Sequence, residues 1–355
     1  MQQKKLGFIT AIPQSVHRGS GCYVGIRTLA EGARALGNCV EMITPGIRTG
    51  SFLMERFLFN QSLRWRRQWD FDALVGFDAD GFALARGGGV PRIANIKGVL
   101  GDALPFERGL SRASMALQAR WEAAHAREAD HVITISEYCK DRLRELYGVR
   151  GPISVVPEMI DLQGWRRLFD SHPAARCTDD FTVLCVCRFY PRKRVGLLLR
   201  AAHLLRRRIP GLRVRIVGGG PEMAALRRRW HELRLESIVT WVGEISRNQL
   251  AREYNGADIF CLPSVQEGFG IVFLEAMAAG KAIVAARASA VPEVVRSGVL
   301  VEPENAEDLA HGIWRLFVYP ELRRSVARQQ LQDVEQYDVM GVSRRFLEEV
   351  DKVAA

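Results

Sequence analysis

The strongest constraint on this chain is a rhythm that runs through twice. Short apolar runs alternate with helix-length stretches. In the first pass LGFITAI (6–12) leads through a glycine-bearing turn, HRGSGCYVG, into a helix over 24–36 that stops at Gly37. CVEMIT (39–44), DALVGF (72–77), PRIANIK (91–97) and HVITIS (131–136) follow as strands, with helices over 52–69, 111–129 and 137–147 between or after them. Ser136 is placed to cap the last of these helices and Gly148 to end it. ISVVPEMI (153–160) closes the pass. After a polar loop, DSHPAARCTDD (170–180), the rhythm restarts with FTVLCVC (181–187), LRVRIVGGG (212–220), SIVTWVG (237–243), ADIFCLPS (257–264) and KAIVAA (281–286), again separated by helices. Strands that are apolar almost throughout, each followed by a helix, predict parallel sheets with helices on both faces. The expectation is an α/β chain of two doubly wound domains, 1–165 and 175–335, with a helix over 336–355 packing back towards the first. Ligands of such sheets sit outside the carboxyl ends of the strands. Two such domains facing each other would place a site in the cleft between them. The length, 355 residues, suits that division.

The charge narrows the partners less than its size suggests. The chain carries 50 Lys and Arg against 40 Asp and Glu, for a net +10. Residues 1–170 hold 23 basic and 18 acidic groups, and the remainder 27 and 22, so there is no basic tail. No helix-turn-helix, zinc-finger or RNA-recognition pattern accompanies the charge, and nucleic acid is not expected as a partner. Seven cysteines, odd in number and without a CxxC pair, read as reduced thiols. Cys185 and Cys187 share one face of a strand and read as packing. The opening apolar run is interrupted at Pro13 and is too short for a signal peptide. No stretch approaches the ~20 apolar residues of a membrane span. The expectation is a cytoplasmic protein.

Three segments carry chemistry. In SVQEGFGIVFLEAMAAGKAIVA (264–285) Glu267 and Glu275 stand eight apart. Gly268 and Gly270 let backbone approach a ligand closely. The helix that Ile271 opens offers free N–H groups to an anion. Eight residues of helix rise ~12 Å, so the two glutamates are suited to gripping two ends of an extended ligand, not to acting as acid and base on one atom. The bland alternative is a solvated helix, yet Glu275 lies between Leu274 and Ala276. In VCRFYPRKRVG (186–196), Arg188, Arg192, Lys193 and Arg194 crowd one loop. They require a bound anion or nearby acids to balance them. VGGGPE (217–222) ends a strand in three glycines, which suits a phosphate or nucleoside.

Together these segments resemble the retaining glycosyltransferases of family 4, of the GT-B architecture, within the glycogen-synthase-like and mannosyltransferase-like superfamily. EGFGIVFLE is similar to the family's Glu-x7-Glu motif. CRFYPRKRVGLLLRAA is similar to its Gly-Arg-Leu…Lys-Gly segment, with Cys187 in place of glycine. VGGGPE, ADIFCLPS and VPEVV (291–295) also fit, as do RGSGCYVGIRTLAEGARALGNCVEMIT, ADHVITISEYCKDRLRELYGV and ISVVPEMID in the first half. The resemblance implies a nucleotide-diphosphate sugar as substrate, with a UDP, GDP or ADP moiety, no cofactor and no metal. It implies that Arg188 and Lys193 hold the donor diphosphate and that Glu275 binds the ribose. Glu267, with the N–H groups of Gly268, Phe269 and Gly270 and with Ile271 opening the helix, would hold the transferred sugar and phosphate. Gly19, Ser20 and Gly21 would approach the donor from the first domain. The base would lie near Val217, Gly218 and Gly219 and near Trp241–Ile245. The acceptor would be a glycan, lipid or small-molecule hydroxyl, and His17 and Lys97 are candidates for its side of the site. Lys97 stands where the family often has histidine, and VRSGVLVEP (295–303) is shorter than the usual Gly-x-x-Gly turn.

Other readings remain at this point. Another GT-B enzyme, such as a sugar-nucleotide epimerase, or an inactive nucleotide-sugar-binding protein would share most of these residues. Asp78-Ala79-Asp80 has the form of a metal-holding pair in the other large glycosyltransferase fold, but two carboxylates do not make a site. In FLMERFLFNQSLRWRRQW (52–69), Met54, Leu58, Trp65 and Trp69 fall on one helical stripe. Arg56, Arg64, Arg66 and Arg67 occupy an arc of ~160° elsewhere. This is either a helix on the sheet with its arginines in water, or a peripheral contact with an anionic membrane at its inner face.

Overall fold

A computed structural model of the chain describes residues 3–12, 21–46, 49–66, 69–84, 89–173 and 180–354. It divides into two compact units, one of residues 1–160 and 337–355, the other of residues 161–336. The break falls at Ile160/Asp161, before the polar stretch 170–180. The reason is side-chain chemistry around the helix 162–171. Trp165 and Phe169 pack on Tyr254, with ring centroids 6.0 and 6.3 Å away, and Asn255 Nδ2 donates to the carbonyls of Phe169 and His172 at 2.8 Å. That helix and the start of the polar stretch therefore belong to the second unit.

The first unit is a six-stranded parallel sheet in the order β2-β1-β3-β4-β5-β6. Its strands are β1 (Lys5–Ile9), β2 (Cys39–Ile43), β3 (Ala73–Phe77), β4 (Arg92–Ile96), β5 (His131–Thr134) and β6 (Ile153–Val155). Its helices are α1 (Gly21–Ala35), α2 (Phe52–Arg64), the single turn α3 (Leu100–Ala103), α4 (Gly109–Glu128) and α5 (Glu137–Tyr147). The caps behave as the residue types require. Ser136 Oγ accepts from the N–H of Cys139, and α5 ends on Gly148 at φ 64°.

The second unit is also a six-stranded parallel sheet, in the order β12-β11-β10-β7-β8-β9. Its first helix is α6 (Leu162–Ser171), followed by β7 (Phe181–Val186), α7 (Val195–Leu205), β8 (Leu212–Val217), α8 (Met223–Glu232), β9 (Val239–Gly243) and α9 (Arg247–Gly256). Then come β10 (Ile259–Leu262), α10 (Ile271–Ala278), β11 (Ala282–Ala286), α11 (Val291–Val294), β12 (Val299–Val301), α12 (Ala306–Val318) and α13 (Pro320–Asp333). The last helix, α14 (Val339–Asp351), lies in the first unit. Val342, Phe346 and Val350 repeat at helical spacing and enter the core with Phe8 and Leu29. Gly32 of α1 permits this close approach, because a Cβ there would lie 2.1 Å from Ser343 Oγ.

Helix α2 departs from the sequence expectation. It ends at Arg64, so Trp65 and Arg66 lie beyond the helix and Trp69 is not on its stripe. Arg67 lies outside the described residues. Nor are all its arginines in water, since Arg56 is buried.

Candidate functional site

The strand order of the second unit reverses between β7 and β10, where successive connections leave in opposite directions. A crevice opens at such a switch point, outside the carboxyl ends of the strands. The loops leaving β7 and β10 are the two that the sequence marks as chemical. They are tied by a backbone bond from the N–H of Val265 to the carbonyl of Arg192, 2.9 Å. That tie brings Lys193, at the end of a 3-10 turn (Pro191–Lys193), against Glu267. Lys193 Nζ donates to Glu267 Oε1 at 2.5 Å. Both side chains are largely shielded, at 14% and 7% exposure. Glu267 is fixed from behind, its N–H bonding to Ser289 Oγ at 2.8 Å and its carbonyl accepting from the N–H of Ala290. Among the described residues, Lys193 is the only side-chain partner of the Glu267 carboxylate, so about two ammonium N–H donors and about three carboxylate lone pairs remain for a ligand.

Gly270 follows at φ 91° and serves as the cap of α10. A Cβ there would meet the Phe273 ring at 2.6 Å, so the sharp entry into the helix depends on glycine. Phe269 is buried. Glu275 sits one turn inside α10 and is half-buried, not a solvated surface acid. Tyr254 donates to Glu275 Oε2 at 2.9 Å, and burial lifts the Glu275 carboxyl to about 7.

Two of the other cations of the loop are paired with acids, and the third lies on an aromatic ring. Arg188 donates to Glu244 at 2.9 Å, Arg194 pairs with Glu304, and Arg192 lies 4.7 Å over the Tyr190 ring. The glycines of VGGGPE divide in role. A Cβ on Gly218 would strike the Cys187 carbonyl at 2.0 Å, and one on Gly220 would strike the Phe189 backbone at 2.6 Å. These two let the β7 and β8 loops cross. Gly219 instead lies beside Glu244, its Cβ position 3.3 Å from Oε1. Trp241 packs edge-on to Phe189, and its buried Nε1 has no partner among the described residues.

In the first unit, Lys97 follows β4 directly. Its ammonium donates to Glu158 at 3.2 Å, with both side chains 3% exposed. Its N–H bonds to Asp78 Oδ1, while Cys22 Sγ bonds to Asp78 Oδ2. A Cβ on Gly25 would lie 2.5 Å from Glu158 Oε2, so α1 is seated against this pair. Asp80 is fully engaged elsewhere. It accepts from Arg56 Nε and Nη2, Asn60 Nδ2 and the N–H of Ala11, all within 3.0 Å. The Asp78-Ala79-Asp80 segment is thus a structural junction, and no cluster of three metal-ligating side chains occurs among the described residues. His17, Gly19 and Ser20 lie outside the described residues. Gly21 is the first residue of α1. Ser289, Tyr254, Glu244 and Glu158 were not singled out by the sequence. Each lies far along the chain from the residue it holds, and no local spacing marks it.

Two six-stranded parallel sheets with helices, each forming its own unit, are the architecture of the GT-B class. Comparison with known proteins agrees. Residues 20–163 match the family described as Glycosyltransferase Family 4, and residues 169–332 match Glycosyl transferases group 1. The chain belongs to the family 4-like glycosyltransferases of GT-B fold. It is 30% identical over 207 residues to a GDP-mannose-dependent alpha-(1-6)-phosphatidylinositol monomannoside mannosyltransferase of Mycobacterium tuberculosis, covering 53% of each chain. It is 36% identical over 212 residues to a D-inositol 3-phosphate glycosyltransferase of Mycolicibacterium smegmatis, covering 56% of this chain and 47% of that one. The chain thus spans about half the length of the curated relatives it matches. Among solved structures, sucrose-phosphate synthase from Thermosynechococcus elongatus superposes with a TM-score of 0.82 at 21% identity, over 99% of both chains. The Anabaena HepE protein in complex with UDP and glucose superposes at 0.74 and 18%, over 98% of this chain and 100% of that one.

Proposed function

We propose that the chain moves a sugar from a nucleotide-diphosphate donor to a hydroxyl of a glycan, lipid or small-molecule acceptor, with retention of anomeric configuration and without a metal. The observation that carries this reading is the Lys193–Glu267 pair at the switch point of the second unit. Breaking the bond between sugar and diphosphate leaves negative charge on phosphate. Lys193 and the N-terminus of α10 supply positive potential for that charge, and Arg188, paired with Glu244 in this structure, would join them by turning to the diphosphate. Glu267 and the N–H groups of Gly268, Phe269 and Gly270 would hold the transferred sugar. Glu275, steadied by Tyr254, would accept from ribose hydroxyls, and Gly218 and Gly219 would lie beside the base. Ile271 contributes the first turn of the helix.

In the step, the acceptor oxygen bonds to the anomeric carbon on the face that the diphosphate leaves. The carbon–oxygen bond to phosphate breaks, and the acceptor proton passes to a phosphate oxygen. No protein base is required by this route. The donor class is supported by the GDP-mannose dependence in one relative's name and by UDP and ADP in structures of similar fold. A polyol acceptor is supported by the inositol-based names of two relatives. In the first unit, Lys97 and Glu158 have spare hydrogen-bonding capacity at the end of β4, which favours Lys97 as an acceptor-side contact; His17 is carried with it on the motif alone. A seat at the inner face of an anionic membrane belongs to the same reading and uses a different surface.

The test is product formation from nucleotide sugars, with the anomeric configuration read by NMR and a chelator present. Retained product in chelator, abolished by Lys193→Ala, is the expected outcome. Inverted product or chelator-sensitive transfer would refute the retaining or the metal-independent part. Nucleotide binding without transfer or donor hydrolysis would favour an inactive binding protein.

A further inference from the structure

Helix α2 is built inside out. Its buried residues are Arg56, Phe59, Asn60 and Leu63. Two of these four are polar, and both are held by Asp80. At ~100° per residue the exposed Met54, Phe57 and Leu58 fall on the opposite side, and Trp65, just past the helix end, extends that side. Met54 is 50% and Trp65 79% exposed. A helix that only packed on its sheet would turn these groups inward and its arginine outward.

The adjoining helix enlarges the surface. Phe57 stacks on Trp121 of α4 at 5.8 Å, and Arg56 Nη1 donates to Gln118 of α4. Leu110 and Leu117 of α4 are exposed, at 90% and 38%. Nine large apolar side chains are exposed among the described residues of 3–160. Seven of them lie on α2, its terminal Trp65, and α4. A concentration of this kind marks an interaction surface.

The charge around it selects the partner. Arg64, Arg66, Arg108, Arg112 and Arg120 are exposed on or beside these helices. Of the acids on or just before these helices, only Glu128, at the far end of α4, is exposed. Glu55 accepts from the N–H groups of Thr49 and Gly50, while Glu107 and Glu122 are buried. Apolar and aromatic side chains ringed by arginines suit the headgroup region of an anionic bilayer.

We propose that the α2–α4 face of the first unit docks on an anionic lipid bilayer, with Met54, Leu58 and Trp65 inserted and Arg64 and Arg66 on the headgroups. This deepens the membrane part of the proposed function, on which it rests, and is independent of the donor chemistry of the second unit.

The experiment is co-sedimentation of the chain with phosphatidylcholine vesicles, with and without added phosphatidylglycerol. The variants are Met54→Ser/Leu58→Ser/Trp65→Ser and Arg64→Ser/Arg66→Ser. All five positions are exposed, so circular dichroism should report an unchanged fold. The wild type is expected to bind mixed vesicles and to be released by salt. The triple variant should bind at least about tenfold more weakly, and the arginine variant should lose its preference for anionic vesicles. Wild-type indifference to the anionic lipid, or undiminished binding by the triple variant, would overturn the proposal. So would a self-associated wild type that the triple variant renders monomeric, because the face would then belong to a second copy. Nucleotide-sugar hydrolysis, measured in parallel, should be unchanged in the triple variant. Its loss from wild type as well would count against the transferase reading and leave the docking result standing.

Discussion

Two buried ion pairs, one in each unit, look alike in distance and differ in what surrounds them. Asp80 faces Arg56 in the first unit, and every one of its lone pairs is taken by four protein donors. Glu267 faces Lys193 in the second, with a single bond to its carboxylate among the described residues and its backbone clamped by Ser289 and Ala290. A saturated carboxylate has nothing to offer a ligand and serves the fold. An unsaturated one, held rigidly at the end of a strand, is available for chemistry. Lys97 and Glu158 stand nearer to the second kind, with one bond between them.

The comparison breaks most sharply if the saturated pair proves dispensable. Arg56→Met leaves Asp80 charged and buried, which should cost about 3–5 kcal/mol of stability. Urea denaturation reads the loss, and nucleotide affinity of the folded fraction should be unchanged. Lys193→Ala should show the reverse. It should lower kcat by about 10²–10³, the effect of removing one preorganised group at a developing anion, with a melting temperature near that of the wild type.

Glu275 sharpens the contrast through pH. Its carboxyl titrates near 7 in the folded chain, against an ordinary value of 4.5. Between those values the unfolded state has released a proton that the folded state keeps, so stability falls as pH rises through this window. Glu275→Gln should remove about 3 kcal/mol of that decline, seen in denaturation series from pH 4.5 to 7.5. Burial raises Glu122 in the same direction, to about 8, so a residual slope should persist in the variant. Tyr254→Phe, which deletes one hydrogen bond to Glu275, should cost about 1 kcal/mol and appear in KM for the donor more than in kcat. The smallest effect belongs to Glu244→Gln. Its pair with Arg188 is about half exposed, so stability should change by less than about 1 kcal/mol.

Much of the architecture was legible because parallel strands buried on both faces must be apolar throughout, and the helices between them carry their own stop signals, as at Gly37 and Gly148. The loops after β7 and β10 were legible for a related reason, since glycines and clustered cations have few structural uses at a strand end. What escaped was contact between distant segments. Nothing near Glu267 points to Ser289, and nothing near Glu275 points to Tyr254. The chain around Arg56 shows an arginine among apolar residues, which reads as amphipathic in the ordinary sense. Only Asp80, 24 residues away, turns that helix inside out.

The central claim is that the unsaturated pair of the second unit receives a nucleoside diphosphate. Calorimetric titration of UDP, GDP, ADP and their sugars into wild type and Lys193→Ala tests it directly. The account predicts saturable binding of at least one of these by the wild type, weakened about tenfold or more in the variant, the share of a charge-assisted contact. Binding of none of them, or equal affinity in the two proteins, would contradict it.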